Sequence, residues 1–202
     1  MSLWLAPDPL VLASRSFARR ALLEAAGIPV EPYPADVDER GLEKSAAPQA
    51  PAAVAAFLAR EKAAFVAALR PGRLVLGADQ TLALKSARLA KPGDSAAARA
   101  QLSALRGRTH ELHSAIALVR DTTLVFEYVD TARLTMRPFS ETFLDSYLDT
   151  VGQGATASVG AYQVEGAGIQ LFERIDGDYF TILGLPLMAT LDFLRRYGYL
   201  AA

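Results

Sequence analysis

Apolar positions follow two rhythms along this chain: short unbroken runs between helical patterns in the first eighty residues, and alternation later. Leu10-Val11-Leu12-Ala13 reads as a buried strand, and Ser14-Arg15-Ser16 turns the chain into a helix from Phe17 to Ala26 that Gly27 and Pro29 stop. Val30 to Tyr33 suits a second strand, Pro34 to Glu39 an acidic loop, and Gly41 to Gln49 a surface connection. Pro51 opens a helix reaching Leu69, with Val54, Phe57, Leu58, Phe65 and Leu69 as its predicted apolar stripe. Glu61 projects into that stripe and needs a partner there, while Lys62 projects onto its edge. Pro71-Gly72 ends the helix, and Leu74 to Ala78 is a compact strand that delivers Asp79 at its end.

Further on, a hairpin centres on Lys85-Ser86-Ala87-Arg88, and Ser95 to Arg106 reads as a helix closed by Gly107. Glu111 to Val119 and Leu124 to Met136 are extended runs on either side of Asp121-Thr122-Thr123. In the second run Leu124, Phe126, Tyr128, Ala132, Leu134 and Met136 share a face, which predicts one arm of an antiparallel hairpin. Ser140 caps a helix carrying Phe143, Leu144, Tyr147, Leu148 and Val151. A glycine-rich stretch (152–168), a strand from Ile169 to Ile175 and a helix from Pro186 to Tyr197 follow. Strands and helices alternate early and a hairpin comes late, without repeat or linker. The pattern predicts an α/β fold with a mixed sheet, in a single domain over 1–202.

The 202 residues are 51% apolar, enough for a sizeable core. Lys+Arg 21 against Asp+Glu 22 leaves a net charge of −1, so no global basic field favours nucleic acid or a membrane surface. Any anion site is therefore local. The absence of cysteine excludes disulfides, thiolate metal sites and a cysteine nucleophile. No run approaches a membrane span and no leader pattern opens the chain, so a cytoplasmic location is expected.

Arg15, Arg19 and Arg20 crowd the start of the first helix, where the peptide dipoles already present positive charge. Such crowding makes sense if an anion occupies the spot, and phosphate suits the N–H groups, serine hydroxyls and guanidinium forks there. Solvated arginines, costing a few tenths of a kcal/mol (~0.3), are the bland alternative. Asp79, at the end of an apolar strand between small residues, can hold a divalent cation or take a proton from water; capping the next turn is its bland alternative. Lys62 beside Glu61 and Lys91 before Pro92 are candidate cations, each also compatible with a surface role. Asp36, Asp38 and Glu39 offer hard oxygen donors or simply a solvated loop. The chain has no G-x-x-x-x-G-K-[ST] loop and no dinucleotide fingerprint. His110 and His113, three apart on a strand, face opposite ways and make neither a zinc pair nor a histidine triad, which leaves a single histidine general base as the remaining role for either.

Taken in order, Leu12-Ala13-Ser14-x-Ser16-x-x-Arg19, Arg60-Glu61-Lys62-Ala63, Gly77-Ala78-Asp79-Gln80, Lys91-Pro92, Gly160-Ala161-Tyr162-Gln163-Val164-Glu165-Gly166, Gly177-Asp178-Tyr179 and Gly184-Leu185-Pro186 resemble the Maf family of nucleoside triphosphate pyrophosphatases. The resemblance spans Leu10 to the last helix. It implies a mixed, elongated, twisted sheet flanked by helices, Maf/ITPase-like, with a cleft between two lobes. It also implies cleavage of a nucleoside triphosphate to monophosphate and pyrophosphate with a divalent cation, Mg2+ or Mn2+. By position, Ser14, Arg19, Lys62 and Lys91 resemble phosphate-site residues, while Glu39 and Asp79 resemble acids near the metal and the attacking water. Gln80 and Glu165 match positions tied to base choice, in the pattern of the branch acting on 7-methyl-GTP. Ala18 departs from the family, which usually carries a larger side chain there. The family further implies a homodimer and a link to cell division. Two rivals stand beside a general house-cleaning hydrolase: a 7-methyl-GTP specialist, and a nucleotide-binding regulator that does not turn over.

Overall fold

A computed structural model describes residues 3–45 and 50–202. They form two compact units: Met1–Gln80 with Ser114–Asp130 and Asp178–Ala202, and Thr81–His113 with Thr131–Gly177. The described strands are β1 (Leu10–Leu12), β2 (Val30–Pro32), β3 (Leu74–Leu84), β4 (Ala87–Leu89), β5 (Thr109–Arg120), β6 (Thr123–Met136) and β7 (Phe172–Asp176). They make a mixed sheet in the order β2-β1-β3-β5-β6-β7, with β4 paired to β3, as the α/β pattern predicts. β3, β5 and β6 each contribute residues to both units.

In the first unit, β1 pairs in parallel with both β2 and β3. Successive strand side chains face opposite ways. Leu10, Leu12, Leu74, Leu76, Ile116 and Leu118 therefore share one buried cluster with Leu23 of α1 (Phe17–Ala25) and Phe193 of the last helix. Val11, Ala13, Val75, Ala115 and Ala117 share another with Ala55, Ala59 and Ala63 of α3 (Pro51–Leu69). The unbroken apolar runs are thus strands covered on both faces.

Three features of this unit differ from the expectation. α3 buries Val54 and Leu58 of the predicted stripe, but its second half departs from it: Phe65 and Leu69 are 39% and 52% exposed, while Lys62 is buried with the alanines and Glu61 is only half-buried. The reason is size. A Cβ at Gly77 would come within 2.8 Å of the Ala63 Cβ and collide with the Ala59 carbonyl, so only small residues fit between α3 and β3. β3 does not stop at Ala78. Leu82, Ala83 and Leu84 continue it and pair with β4 through a turn at Lys85 (φ 57°), which puts Asp79 at mid-strand. Glu39–Ser45 is a helix, α2, rather than loop and surface connection; the Asp38 carboxylate accepts the Gly41 N–H at 3.0 Å and caps its start. The rest of the predicted connection, 46–49, lies outside the described residues.

The second unit contains α4 (Ser95–Leu105) and α5 (Glu141–Val151), capped by Asp94 and Ser140. β7 pairs antiparallel with β6 over only Phe172–Asp176. The start of the predicted Ile169 strand is instead a tight 3-10 turn (Ala167–Leu171), where a Cβ on Gly168 would press against the backbone of Gln163. Single-face burial on β6 holds for Ala132, Leu134 and Met136, whereas Leu124 and Tyr128 are exposed. The remaining helices, α6 (Tyr179–Ile182) and α7 (Leu187–Arg196), belong to the first unit.

His110 is buried in the second unit. Its Nε2 pairs with the Tyr162 hydroxyl at 2.7 Å, Phe172 packs edge-on against Tyr162, and its Nδ1 has no hydrogen-bond partner. Burial brings this imidazole down to about 4. The unfolded chain then takes up a proton near pH 6.5 that the folded chain refuses, so stability is lost as pH falls from 6.5 toward 4, by about 3 kcal/mol at most. Urea midpoints recorded across that window should fall more steeply for the wild-type chain than for His110→Gln, which lacks the titrating group.

Candidate active site

The first unit brings five of the predicted site residues together. β1 ends at Leu12, and the segment 13–16 leads into α1. The Ser16 hydroxyl accepts the Arg19 backbone N–H and caps the helix; the Ser14 hydroxyl accepts the Ser16 N–H at 3.2 Å and Arg19 Nη1 at 3.1 Å. Of the three crowded arginines only Arg19 turns inward. Its Nη1 also donates to the Ala78 carbonyl and its Nε to the Gly184 carbonyl, both at 2.8 Å. Arg15 is exposed, and Arg20 pairs on the surface with Glu24.

Close packing of α3 on β3 sets Lys62 against Asp79. The ammonium donates to Asp79 Oδ1 at 2.7 Å and lies 3.1 Å from Glu39 Oε1, bridging the two carboxylates. Lys62 and Asp79 are almost sealed from solvent at 7% and 9% exposure, whereas the Glu39 side chain is 55% exposed. Burial pushes the Asp79 carboxyl above the ordinary carboxylate range, against the pull of Lys62 and Arg19. Loss of solvent lowers the Arg19 guanidinium, with Asp79 and Glu39 opposing. A carboxylate made more basic in this way is better suited to accept a proton from water.

Gln80 follows on β3, but its amide faces inward, donating to Ser114 Oγ and to the carbonyls of Thr181 and Ile182. Lys91 and Glu165 are exposed residues of the second unit. Asp36 and Asp38 do not join Glu39: with Glu61 and Phe65 they line a separate open hollow of about 560 Å³. His110 and His113 have different partners, Tyr162 and Thr131, and build no common site.

Two contributors escaped the pattern reading. Gly77 has no charge to attract notice, and its part emerges only from the contact with α3. Gly184 was visible in a Gly-Leu-Pro motif, but its carbonyl's role as the Arg19 anchor requires the fold.

Among the described residues no group of three or more acids and imidazoles forms a ready-made cation cage. The Glu39 and Asp79 carboxylates, half-exposed and buried respectively, do fit a Mg2+-type ion that takes one or two protein oxygens and fills its remaining positions with water and phosphate.

Fold and site together define a mixed α/β protein with two carboxylates, an ammonium and an anchored guanidinium in one cluster. The chain belongs to the Maf-like protein family, whose profile matches residues 9–197. A Rhodopseudomonas palustris protein is 57% identical over 201 residues, covering 100% of both chains. One from Nitrobacter winogradskyi is 52% identical over 195 residues, 96% of each chain. A third, from Paramagnetospirillum magneticum, is 52% identical over 190 residues, 93% of this chain and 98% of its own. All three bear the name nucleoside triphosphate pyrophosphatase. A solved HAM1 protein from Coxiella burnetii superposes at a TM-score of 0.43 and 19% identity over 65% of this chain and 74% of its own.

Removing the Lys62 cation leaves the buried Asp79 carboxylate without its hydrogen-bonded partner, with only the more distant pull of Arg19. Lys62→Met should cost about 3 kcal/mol at pH 7 in metal-free buffer. The deficit should shrink as pH falls toward 4, because the lone carboxyl has a raised folded pKa and its penalty is relieved once the unfolded chain is protonated as well. Chemical denaturation at both pH values checks this.

Proposed function

We propose that this protein is a nucleoside triphosphate pyrophosphatase, hydrolysing a noncanonical or modified nucleotide to its monophosphate and pyrophosphate in a house-cleaning role. The observation that carries the reading is the buried Lys62–Asp79 pair beside the anchored Arg19, in a chain whose curated relatives over its full length bear that name.

In this reading Arg19 and Ser14 bind phosphate oxygens, and Lys62 balances negative charge while holding Asp79 in place. Lys91, from the second unit, supplies a further cation. Asp79 orients a water for in-line attack on the α-phosphorus and takes its proton. The new bond joins the water oxygen to the α-phosphorus; the bond to the β-phosphate bridging oxygen breaks and pyrophosphate departs. No covalent enzyme intermediate is needed. Glu39 and Asp79 would hold the Mg2+ or Mn2+, which when bound supplies charge neutralisation on the triphosphate.

Glu165 carries the choice of base, as an exposed carboxylate that accepts hydrogen bonds from a base edge. Competition between GTP and 7-methyl-GTP separates a general enzyme from a specialist in the methylated nucleotide. Cytoplasmic action as one catalytic domain, in a homodimer, completes the proposal. In support, no described helix is long and apolar enough to cross a membrane, and Leu124 and Tyr128 leave apolar surface on β6 for a second copy.

Asp79→Asn should lower pyrophosphate release by at least about a thousandfold while affinity for metal-free nucleotide stays within about threefold, since the substitution removes the base and keeps Ser14, Arg19 and Lys62. Coupled pyrophosphate assays beside calorimetric binding measure both. Full turnover in that variant removes Asp79 from the chemistry, and binding without turnover in the wild type identifies a regulator instead. Chelation with EDTA should abolish release, and added Mg2+ or Mn2+ should restore it.

A further inference from the structure

Gln80 occupies a position that the family resemblance links to the base, yet its side chain is engaged elsewhere. The two N–H bonds of its amide face three oxygens: Ser114 Oγ at 2.8 Å, the Thr181 carbonyl at 3.1 Å and the Ile182 carbonyl at 3.0 Å. Ser114 gives its single hydroxyl hydrogen to the Thr181 carbonyl at 2.6 Å, so toward Gln80 it can only accept. All three neighbours are therefore acceptors, and the amide has one satisfactory orientation, with nitrogen inward. Ser114 and Thr181 are completely buried, and the Thr181 carbonyl also accepts the Gly184 N–H at 3.0 Å, so the amide ties β3 into a network that already reaches Gly184.

The segment that Gln80 grips is short and otherwise held at its start. Asp178 caps it, accepting the Thr181 N–H at 3.1 Å, and the Thr181 hydroxyl donates to Asp130 at 2.7 Å. Two residues beyond Ile182 comes Gly184, with φ at +91°. A Cβ there would lie 3.3 Å from Arg19 Nε, so the turn closes directly on the guanidinium. The Gly184 carbonyl then receives Arg19 Nε, while Arg19 Nη1 returns to Ala78, two residues before Gln80 on β3. A closed circuit results: strand to guanidinium, guanidinium to turn, turn back to strand through Gln80.

We propose that Gln80 is a positioning residue for Arg19, acting through the 178–184 turn on the phosphate end of the substrate, and that it serves every nucleotide alike rather than selecting the base. The inference rests on the reading of Arg19 as a phosphate ligand. It makes Gln80 and Ser114 partners in one task, although only Gln80 lies beside the proposed catalytic acid.

The test compares wild type, Gln80→Ala, Gln80→Glu, Ser114→Ala, Arg19→Ala and the Gln80→Ala/Arg19→Ala double variant on GTP, 7-methyl-GTP, UTP and dTTP. Loss of two buried hydrogen bonds should lower kcat/KM about tenfold or more in Gln80→Ala, by a factor that agrees within about threefold across the four bases. Gln80→Glu keeps the size, loses the donors and should fall in the same direction without switching base; Ser114→Ala should follow at reduced amplitude. The double variant should be no slower than Arg19→Ala alone, because a residue acting through Arg19 has nothing left to position. A loss that differs more than about tenfold between bases, or multiplies with that of Arg19→Ala, overturns the proposal. Calorimetry with inorganic tripolyphosphate and amide exchange over 178–184 are read in parallel. If the wild type releases no pyrophosphate from any triphosphate, the functional reading fails, and these two measurements still decide the role of Gln80. Weaker tripolyphosphate binding or faster exchange in Gln80→Ala supports positioning; unchanged values in both refute it.

Discussion

The site depends on a glycine that itself carries no charge. Gly77 lets α3 settle onto β3 more closely than a side chain would permit, and the alanines of α3 complete the fit. At that distance Lys62 reaches Asp79 across 2.7 Å, and both are nearly sealed from water. Neither charge is tolerable there alone. The packing and the ion pair thus require one another: the small residues create the proximity, and the proximity makes two buried charges affordable.

In the proposed function a polyphosphate meets that pair, and the charges around it limit how it is received. Glu39 and Asp79 carry two negative charges, and Lys62 and Arg19 two positive, so the cluster is close to neutral. A bare polyanion meets little net attraction from it. One that arrives with a divalent cation brings its own counter-charge, which is the physical ground for expecting the carboxylates to share such an ion with phosphate. Arg19, meanwhile, is held by two backbone carbonyls and a serine hydroxyl before any ligand arrives. Holding it there removes ordering entropy that a free arginine would lose on binding.

How far the chain could be read in advance follows from which physics decided each element. Period and turn chemistry located β1, the start of β3, the late hairpin and the capped helices, because there hydrophobic burial decides alone. They held for Val54 and Leu58 but failed on the second half of α3, where fit against a glycine outweighed hydrophobicity and turned alanines inward in place of Phe65 and Leu69. They failed again at Asp79, read as a strand terminus, since nothing in Gln80 or Thr81 shows that the strand continues to a partner at β4. The dipole argument singled out the start of α1 but could not tell which of its three arginines turns inward. That is settled by carbonyls at Ala78 and Gly184, the latter 165 residues distant in sequence. The Lys62–Asp79 pair has no periodic signal at all; only the ordered motifs pointed to it.

The second unit displays the same logic of a fixed frame carrying an accessible group. Around Glu165 the chain alternates between anchors and exposed side chains: Tyr162 and Val164 are buried, Gln163 and Glu165 are exposed. Tyr162 is tied to His110, Tyr147 donates to the carbonyl of Ala161, and Gly168 closes against Gln163. Ala161 accepts a left-handed backbone (φ 62°), at a cost the buried tyrosines offset by packing and hydrogen bonding. In the role proposed for Glu165, a carboxylate that discriminates among bases gains from a fixed frame, because discrimination disappears when the acceptor can follow the wrong donor. Pinning the residues on either side of Glu165 leaves it accessible while limiting how far it can follow, just as the carbonyls in the first unit leave Arg19 charged but fixed.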